Sequence, residues 1–387
     1  LQTVSAQDYD NLEIIISDNC SADGTRDVAA AARDPRVRYL NTGRRVSMSE
    51  NWEFALGHTT GDWITVVGDD DGLLPGCLNA INDLIQASGV EAIRTRACMF
   101  DWPSVTGGKS GRLHIPLATG WERRSTEKWR QRVLAGRSHY HNLPMLYTGG
   151  FVSASVIDRV RNRDGQFFRS SIPDVYSALL LSRVLPEYVF SSEPVAIFGI
   201  SGHSTGLSQF RQPAEAAGSE RPVAIFGQED NIPFHPGVPM DASGAYPRAV
   251  HAFIYESYLQ VADVLQEPHT ESPVRQLMVT LATARGHHES VQDWGRRFAA
   301  MHDLNFDTVA AAARRYATRL TIRGLPAQVM RLLRIYSLGS EKAPIRDIYE
   351  ASIVAGVVKT LKPPRLPFVL STIRERLSGT AKGRLPT

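Results

Sequence analysis

A chain of 387 residues with 43% apolar and 21% charged side chains has the composition of a soluble globular protein, long enough for two domains. Its three cysteines, Cys20, Cys77 and Cys98, show no CxxC or His-paired spacing, which excludes a disulfide framework and a structural zinc site and suits a reducing cytoplasm. The net charge of +3 conceals an asymmetry: from Arg314 onward 15 Lys and Arg face 4 Asp and Glu, a net of +11, against about −8 for residues 1–313.

The first hundred residues alternate strand and helix signals. Leu12-Glu13-Ile14-Ile15-Ile16-Ser17 is short and β-branched, reads as a buried parallel strand, and ends at Asp18-Asn19. Ser21 to Thr25 supplies turn and cap residues for a helix from Arg26 to Arg33, closed by Pro35. Cys20 has no His partner and is expected to pack against this helix. A second strand, Val37 to Leu40, precedes a helix from Ser47 to His58 with Trp52, Ala55 and Leu56 on its apolar face. Gly61-Asp62 then turns into a strand from Trp63 to Val67, and a helix from Pro75 to Gln86 leads to another strand from Val90 to Cys98. Strands separated by single helices predict an α/β fold with a mainly parallel sheet, whose ligands sit at the carboxyl ends of the strands.

The strand beginning at Trp63 stops in Gly68-Asp69-Asp70-Asp71. Three adjacent carboxylates repel one another, and a hard divalent cation such as Mg2+ or Mn2+, holding a phosphate-bearing substrate, would neutralise them. The plainer alternative is a solvated acidic turn at the start of the next helix. Asp18 and Asp69 to Asp71 both fall at strand ends, which favours the metal reading.

The string from Gln7 to Thr25, then Asn51 in a helix, then Gly61-Asp62-Trp63-Ile64 leading to Asp69-Asp70-Asp71 and Pro75, resembles family 2 glycosyltransferases over residues 1–100, more weakly to about 208. The resemblance implies the Rossmann-like A-type glycosyltransferase fold, a nucleotide-sugar donor (a UDP- or dTDP-sugar) and an inverting transfer. It places Asp18, Asn19, Asn51 and Asp69 at the nucleotide. Asp70 and Asp71 become metal ligands of a DxD region, with His203 in Ser201-Gly202-His203-Ser204 a further ligand, or else a solvated loop histidine. Many members carry Asp where this chain has Gly68, which shifts the ligand set. Members also begin with a central strand and a nucleotide-clamping loop before the position matching Leu1, so the sequence is expected to be a fragment or to have a misplaced start.

In the second half, Tyr147-Thr148-Gly149-Gly150-Phe151 suits either a plain turn or close backbone approach to a sugar. His139 and His141 have no acidic partner at ligand spacing and read as structural. Asp174, just before the helix Val175 to Val184, suits a helix cap; the resemblance makes it the general base that takes the acceptor hydroxyl proton. Pro194 to Ile200 is a strand. The predicted organisation is a catalytic domain over 1–208, a Pro/Gly-rich loop or excursion over 209–246, and a mostly α-helical C-terminal region over 247–387.

No run of about 18 apolar residues marks a membrane span, and nothing at the start reads as a leader. The basic tail mixes cations with apolar residues, as in Arg331-Leu332-Leu333-Arg334, which suits a solvated face or peripheral contact with an anionic inner membrane. No motif accompanies it that would indicate nucleic acid. The expected function is a cytoplasmic, metal-dependent inverting glycosyltransferase acting on a glycan or lipid-linked acceptor in bacterial surface polysaccharide synthesis. The alternatives are a nucleotidyltransferase and a non-catalytic nucleotide-binding or assembly subunit.

Overall fold

The β-branched run after Leu12 forms β1 (Ile14–Asp18), and the chain returns through helix α2 (Thr25–Ala31) to the parallel strand β2 (Val37–Asn41), with Ile14 opposite Val37 and Asp18 opposite Asn41. The computed structural model describes residues 1–104, 111–161, 165–202, 204, 222–284, 288–332, 334–339 and 345–361. A single helical turn, α1 (Gln2–Ser5), precedes β1. Helix α3 (Met48–Leu56) starts at Ser47, whose hydroxyl accepts from the N–H of Glu50 as an N-cap should.

A second sheet of eight strands is built around β5 (Ala92–Asp101) and β9 (Glu187–Ile200), which run parallel with a register shift between Thr95 and Ala97. Short strands β3 (Trp63–Ile64), β4 (Gly72–Leu73), β6 (Arg112–Pro116), β7 (Trp121–Ser125) and β8 (Gly150–Ser153) all pair antiparallel. The α/β class is as expected, but a mainly parallel sheet is not: among the described residues parallel pairing is confined to β1/β2 and β5/β9. The physical reason is connection length. A parallel return needs a connection of about a dozen residues or more, and the short stretch of sequence between Asp101 and Arg112 brings β6 back antiparallel to β5.

Between the two sheets the expected strand 63–67 joins a ladder only at Trp63 and Ile64. Among the described residues β1 pairs along one edge alone. The gap belongs to a cavity of ≈ 2060 Å³ lined here by Ile14, Ile16, Trp63, Thr65, Val67 and Phe151, and the Thr65 hydroxyl is buried there with no hydrogen-bond partner.

Helix α4 (Cys77–Ser88) covers one face of the eight-stranded sheet, and α5 (Thr126–Leu134), α6 (Ala154–Arg161) and α7 (Pro173–Val184) build the main core with Phe167, Phe168 and Tyr188. A short helix, α8 (Pro222–Gln228), lies within the expected excursion. Helices α9 (Val250–Val264), α10 (Pro273–Thr283), α11 (His288–Met301) and α12 (Phe306–Leu332) form the helical region, with α9 buried on nearly every face. The chain then rejoins the sheet: β10 (Ile335–Leu338) pairs antiparallel with β6, and α13 (Ile348–Leu361) packs on Leu74, Cys98, Phe100 and Ile197.

Candidate functional site

The acidic cluster sits where the sequence places it, but its three members have different surroundings. Asp69 is exposed, and its Oδ1 accepts from the N–H of Asp70 at 3.1 Å. Asp70 is half-buried; its Oδ2 accepts from the hydroxyls of Ser204 at 2.6 Å and Ser201 at 3.1 Å. Asp71 is buried, with Oδ2 accepting from the Thr148 hydroxyl at 2.6 Å and Oδ1 from the N–H of Gly199 at 2.8 Å. Burial raises both inner carboxyls. The neighbouring Asp69 charge adds to this at Asp70, and Asp71, facing Asp70, is pushed up to about 7.

Two glycines make this packing feasible. A side chain at Gly199 would lie 1.7 Å from the Asp70 carbonyl oxygen and 2.5 Å from the Trp102 indole nitrogen that donates to it. A Cβ at Gly68 would meet the Tyr147 hydroxyl at 2.8 Å, Asp71 Oδ2 at 3.1 Å and Asp70 Oδ1 at 3.4 Å. The position where many family members carry Asp is thus closed by Tyr147. The remaining donors are oxygens whose charges repel, which suits a hard divalent cation. Asp69 and Asp70 could each offer a cation the oxygen that accepts no protein hydrogen bond among the described residues, Oδ2 and Oδ1, whereas both oxygens of Asp71 accept from protein donors.

Asp18 closes β1 and accepts from the Tyr39 hydroxyl, from Asn41 Nδ2 at 2.9 Å and from the N–H of Ser21 at 2.9 Å. Against the opposing effect of burial, these bonds hold its carboxyl below the ordinary range. Asn19 spends its amide on Val46, accepting its N–H and donating to its carbonyl, both at 2.8 Å, so the side chain clasps the loop before α3. Asn51 accepts from the Ser17 hydroxyl at 2.7 Å, tying α3 to β1.

Asp174 lies in the first turn of α7, and Tyr140 donates to its Oδ2 at 2.8 Å. Burial raises the Asp174 carboxyl, opposed by that bond. The loop before it is pinned from two sides. Glu53 on α3 accepts from the N–H groups of Phe167 and Phe168, each at 2.9 Å, and the buried Glu256 on α9 accepts from the Ser170 hydroxyl at 2.7 Å.

A single segment, residues 139–150, links the two ends of the site. Its Tyr140 bonds Asp174 and its Thr148 bonds Asp71. Arg94, a fully buried guanidinium on β5, holds the segment by donating from Nε to the His141 carbonyl at 2.8 Å and from Nη1 to that of Thr148 at 2.7 Å. Gly149 is left-handed at φ +79, and a Cβ there would come within 3.3 Å of Arg94 Nη1. The glycine pair therefore serves a turn folded over Arg94. The rings of Tyr140, His141, Phe198, Tyr147 and Trp52 follow one another at centroid distances of 4.4, 5.2, 5.8 and 5.3 Å, an aromatic band from Asp174 to the acidic cluster.

Asp18, Asn19, Asn51, Asp69, Asp70, Asp71 and Asp174 thus all line the one ≈ 2060 Å³ cavity, while His203 lies outside the described residues. His139 and His141, read as structural, line it too. Cys20, expected to pack, is exposed with a φ of 56, because the turn after Asp18 needs a left-handed residue. Tyr140, Thr148, Ser201, Ser204 and Arg94 were missed; the run of small hydroxyl residues directly after β9 was the available signal.

Outside the cavity, His235, Asp263 and His269 converge, with His235 Nε2 3.0 Å and His269 Nε2 2.6 Å from the Asp263 carboxylate. The N–H of Gly237 donates to His235 Nδ1 at 2.9 Å, which puts that ring's proton on Nε2. The group is a hydrogen-bonded clip, and its buried histidine turns a proton, not a lone pair, toward the carboxylate.

Residues 1–131 match the model of glycosyl transferase family 2. The succinoglycan biosynthesis protein ExoO of Rhizobium meliloti is 31% identical over 91 residues, 24% of this chain and 26% of that protein. The GalNAc(5)-diNAcBac-PP-undecaprenol beta-1,3-glucosyltransferase of Campylobacter jejuni is 33% identical over 84 residues, 21% of this chain and 27% of that protein. The chain thus spans about a quarter of the length of these curated relatives. Among solved structures, S. aureus TarS 1-349 in complex with UDP-GlcNAc has a TM-score of 0.43 at 12% identity, over 82% of this chain and 86% of that one. The mannosyltransferase PcManGT from Pyrobaculum calidifontis, in complex with GDP-Man and Mn2+, has a TM-score of 0.36 at 14% identity, over 84% and 81%. The family resemblance of the first hundred residues is borne out by the family match over residues 1–131.

Proposed function

We propose that this protein is an inverting, metal-dependent glycosyltransferase that moves a sugar from a nucleotide donor, a UDP- or dTDP-sugar, to a glycan or lipid-linked acceptor in surface polysaccharide synthesis at the cytoplasmic side of the membrane. The observation that carries the reading is the placement of the acidic cluster and a separate half-buried carboxylate, Asp174, along one cavity, joined by the segment 139–150.

In this reading Asp18 receives the nucleobase at the end of β1, and Asp69 and Asp70 hold the cation. When bound, the cation offsets charge on the departing diphosphate. Asp174 accepts the proton of the acceptor hydroxyl as that oxygen forms its bond to the anomeric carbon and the bond to the nucleoside diphosphate breaks. Attack from the face opposite the leaving group inverts the centre. The Tyr140 hydrogen bond occupies Oδ2 of Asp174, orients the carboxylate, and opposes the upward push of burial on its pKa. Peripheral membrane contact through the basic C-terminal region belongs to the same proposal.

The test separates binding from transfer. Asp70→Ala is expected to remove metal-dependent donor binding, whereas Asp174→Asn is expected to retain it and lose transfer. A non-catalytic nucleotide-binding subunit would instead bind nucleotide with no turnover in the wild type. Unchanged turnover in both variants would defeat the residue assignment.

A further inference from the structure

Helix α13 carries apolar side chains on two faces. Inward, Ala351, Ser352 and Ala355 are buried, Ile348, Val354 and Val358 pack against the core beneath, and Gly356 sits against the ring of Pro75. A second set of aliphatic side chains faces outward, Ile353 at 41%, Val357 at 51% and Leu361 at 72% exposure, spaced four apart and so on one stripe. The inner face already holds the helix to the sheet, so this outer stripe takes no part in that packing. The two charged side chains of α13 do not interrupt this stripe. Glu350 is engaged by Arg346 near the start, and Lys359 donates to the Pro194 carbonyl at 2.7 Å and pairs with Glu193 at 3.1 Å.

The sequence beyond α13 is cationic. Residues 362–387 contain six Lys and Arg and a single acid, Glu375. An uncharged aliphatic stripe immediately joined to a basic stretch is the pattern of an interfacial helix, in which apolar side chains enter the headgroup and acyl boundary and cations face anionic lipid. A second copy of the chain is a poorer occupant. One stripe of three large side chains offers far less than the roughly 800 Å² per partner that a stable protein interface buries.

We infer that the outer face of α13, through Ile353, Val357 and Leu361, is a docking surface for an anionic lipid bilayer. This develops the membrane part of the proposal above. Vesicle binding is read without turnover, so its failure would leave the transfer chemistry standing, and loss of transfer would leave the docking surface standing.

The experiment is co-sedimentation of the full chain with vesicles of phosphatidylcholine alone and of phosphatidylcholine mixed equally with phosphatidylglycerol. The wild type is expected to sediment with the anionic vesicles and to be released as salt is raised. The triple variant Ile353→Ser, Val357→Ser, Leu361→Ser should partition at least about tenfold less, since burying even one such side chain is worth that factor. These residues are exposed, so the variant should keep its thermal unfolding midpoint, which is measured alongside. The inference is overturned if the wild type stays in solution with anionic vesicles, if the variant binds as well as the wild type, or if the substitutions instead dissolve a dimer seen by sedimentation velocity.

Discussion

Replacing Arg94 by Met tests whether the two ends of the site are held by one buried cation. The guanidinium is fully buried and gives hydrogen bonds of 2.8 and 2.7 Å to the carbonyls of His141 and Thr148. Methionine fills similar volume and donates nothing, so both acceptors lose their partner at about 1–3 kcal/mol each. Recovered desolvation of the cation works the other way: burial already lowers the Arg94 pKa to about 10. The net expectation is a loss of roughly 2–4 kcal/mol of unfolding free energy, read from urea titration. A structural role alone would end there. Arg94 also faces Asp174 and Asp71 electrostatically, so losing its charge should raise their pKa values and move the acid limb of the transfer profile to higher pH. Arg94→Lys keeps the charge with less of the bonding and should restore the acid limb more fully than the stability. Unaltered stability and an unaltered pH profile in Arg94→Met would refute the argument that this residue sets the segment 139–150.

The same geometry leads to three more expected outcomes. Asp71, pushed up to about 7 when folded against an ordinary 3.8, binds its proton more tightly in the native state, so stability should fall as pH rises from about 4 to 7 and level off above. Asp71→Asn should flatten that part of the curve in thermal melts. Gly199→Ala forces a methyl group into the Asp70 carbonyl, and should cost about 1–3 kcal/mol or more while weakening cation-dependent nucleotide binding, measured by calorimetry. Tyr140→Phe removes a bond that lowers the Asp174 pKa, so the acid limb of transfer should move up, with nucleotide affinity unchanged.

Much of the fold was legible because its early signals are local. Ile14 to Ser17 announces a strand, Ser47 caps α3, and the acidic cluster marks a strand end. Strand direction was not legible, since pairing sense depends on which strands come to lie side by side, and that is set by contacts distant in sequence. The candidate carboxylates could be named from sequence, but not their inequality. Only the fold brings Thr148 and Gly199 onto Asp71, and Ser201 and Ser204 onto Asp70, leaving Asp69 exposed. Asn19 shows the converse: a polar residue beside a site residue, whose amide is consumed by Val46. The role of the glycine pair was ambiguous in sequence, because a turn and a close approach demand the same residue, and the buried guanidinium of Arg94 resolves it.

The most direct measurement is calorimetric titration of the protein with a panel of nucleoside diphosphates, with and without Mn2+. The account predicts that one nucleotide binds in a Mn2+-dependent manner and that Asp70→Ala abolishes this binding. Absence of binding by the folded protein, or binding indifferent to both Mn2+ and Asp70, would contradict it.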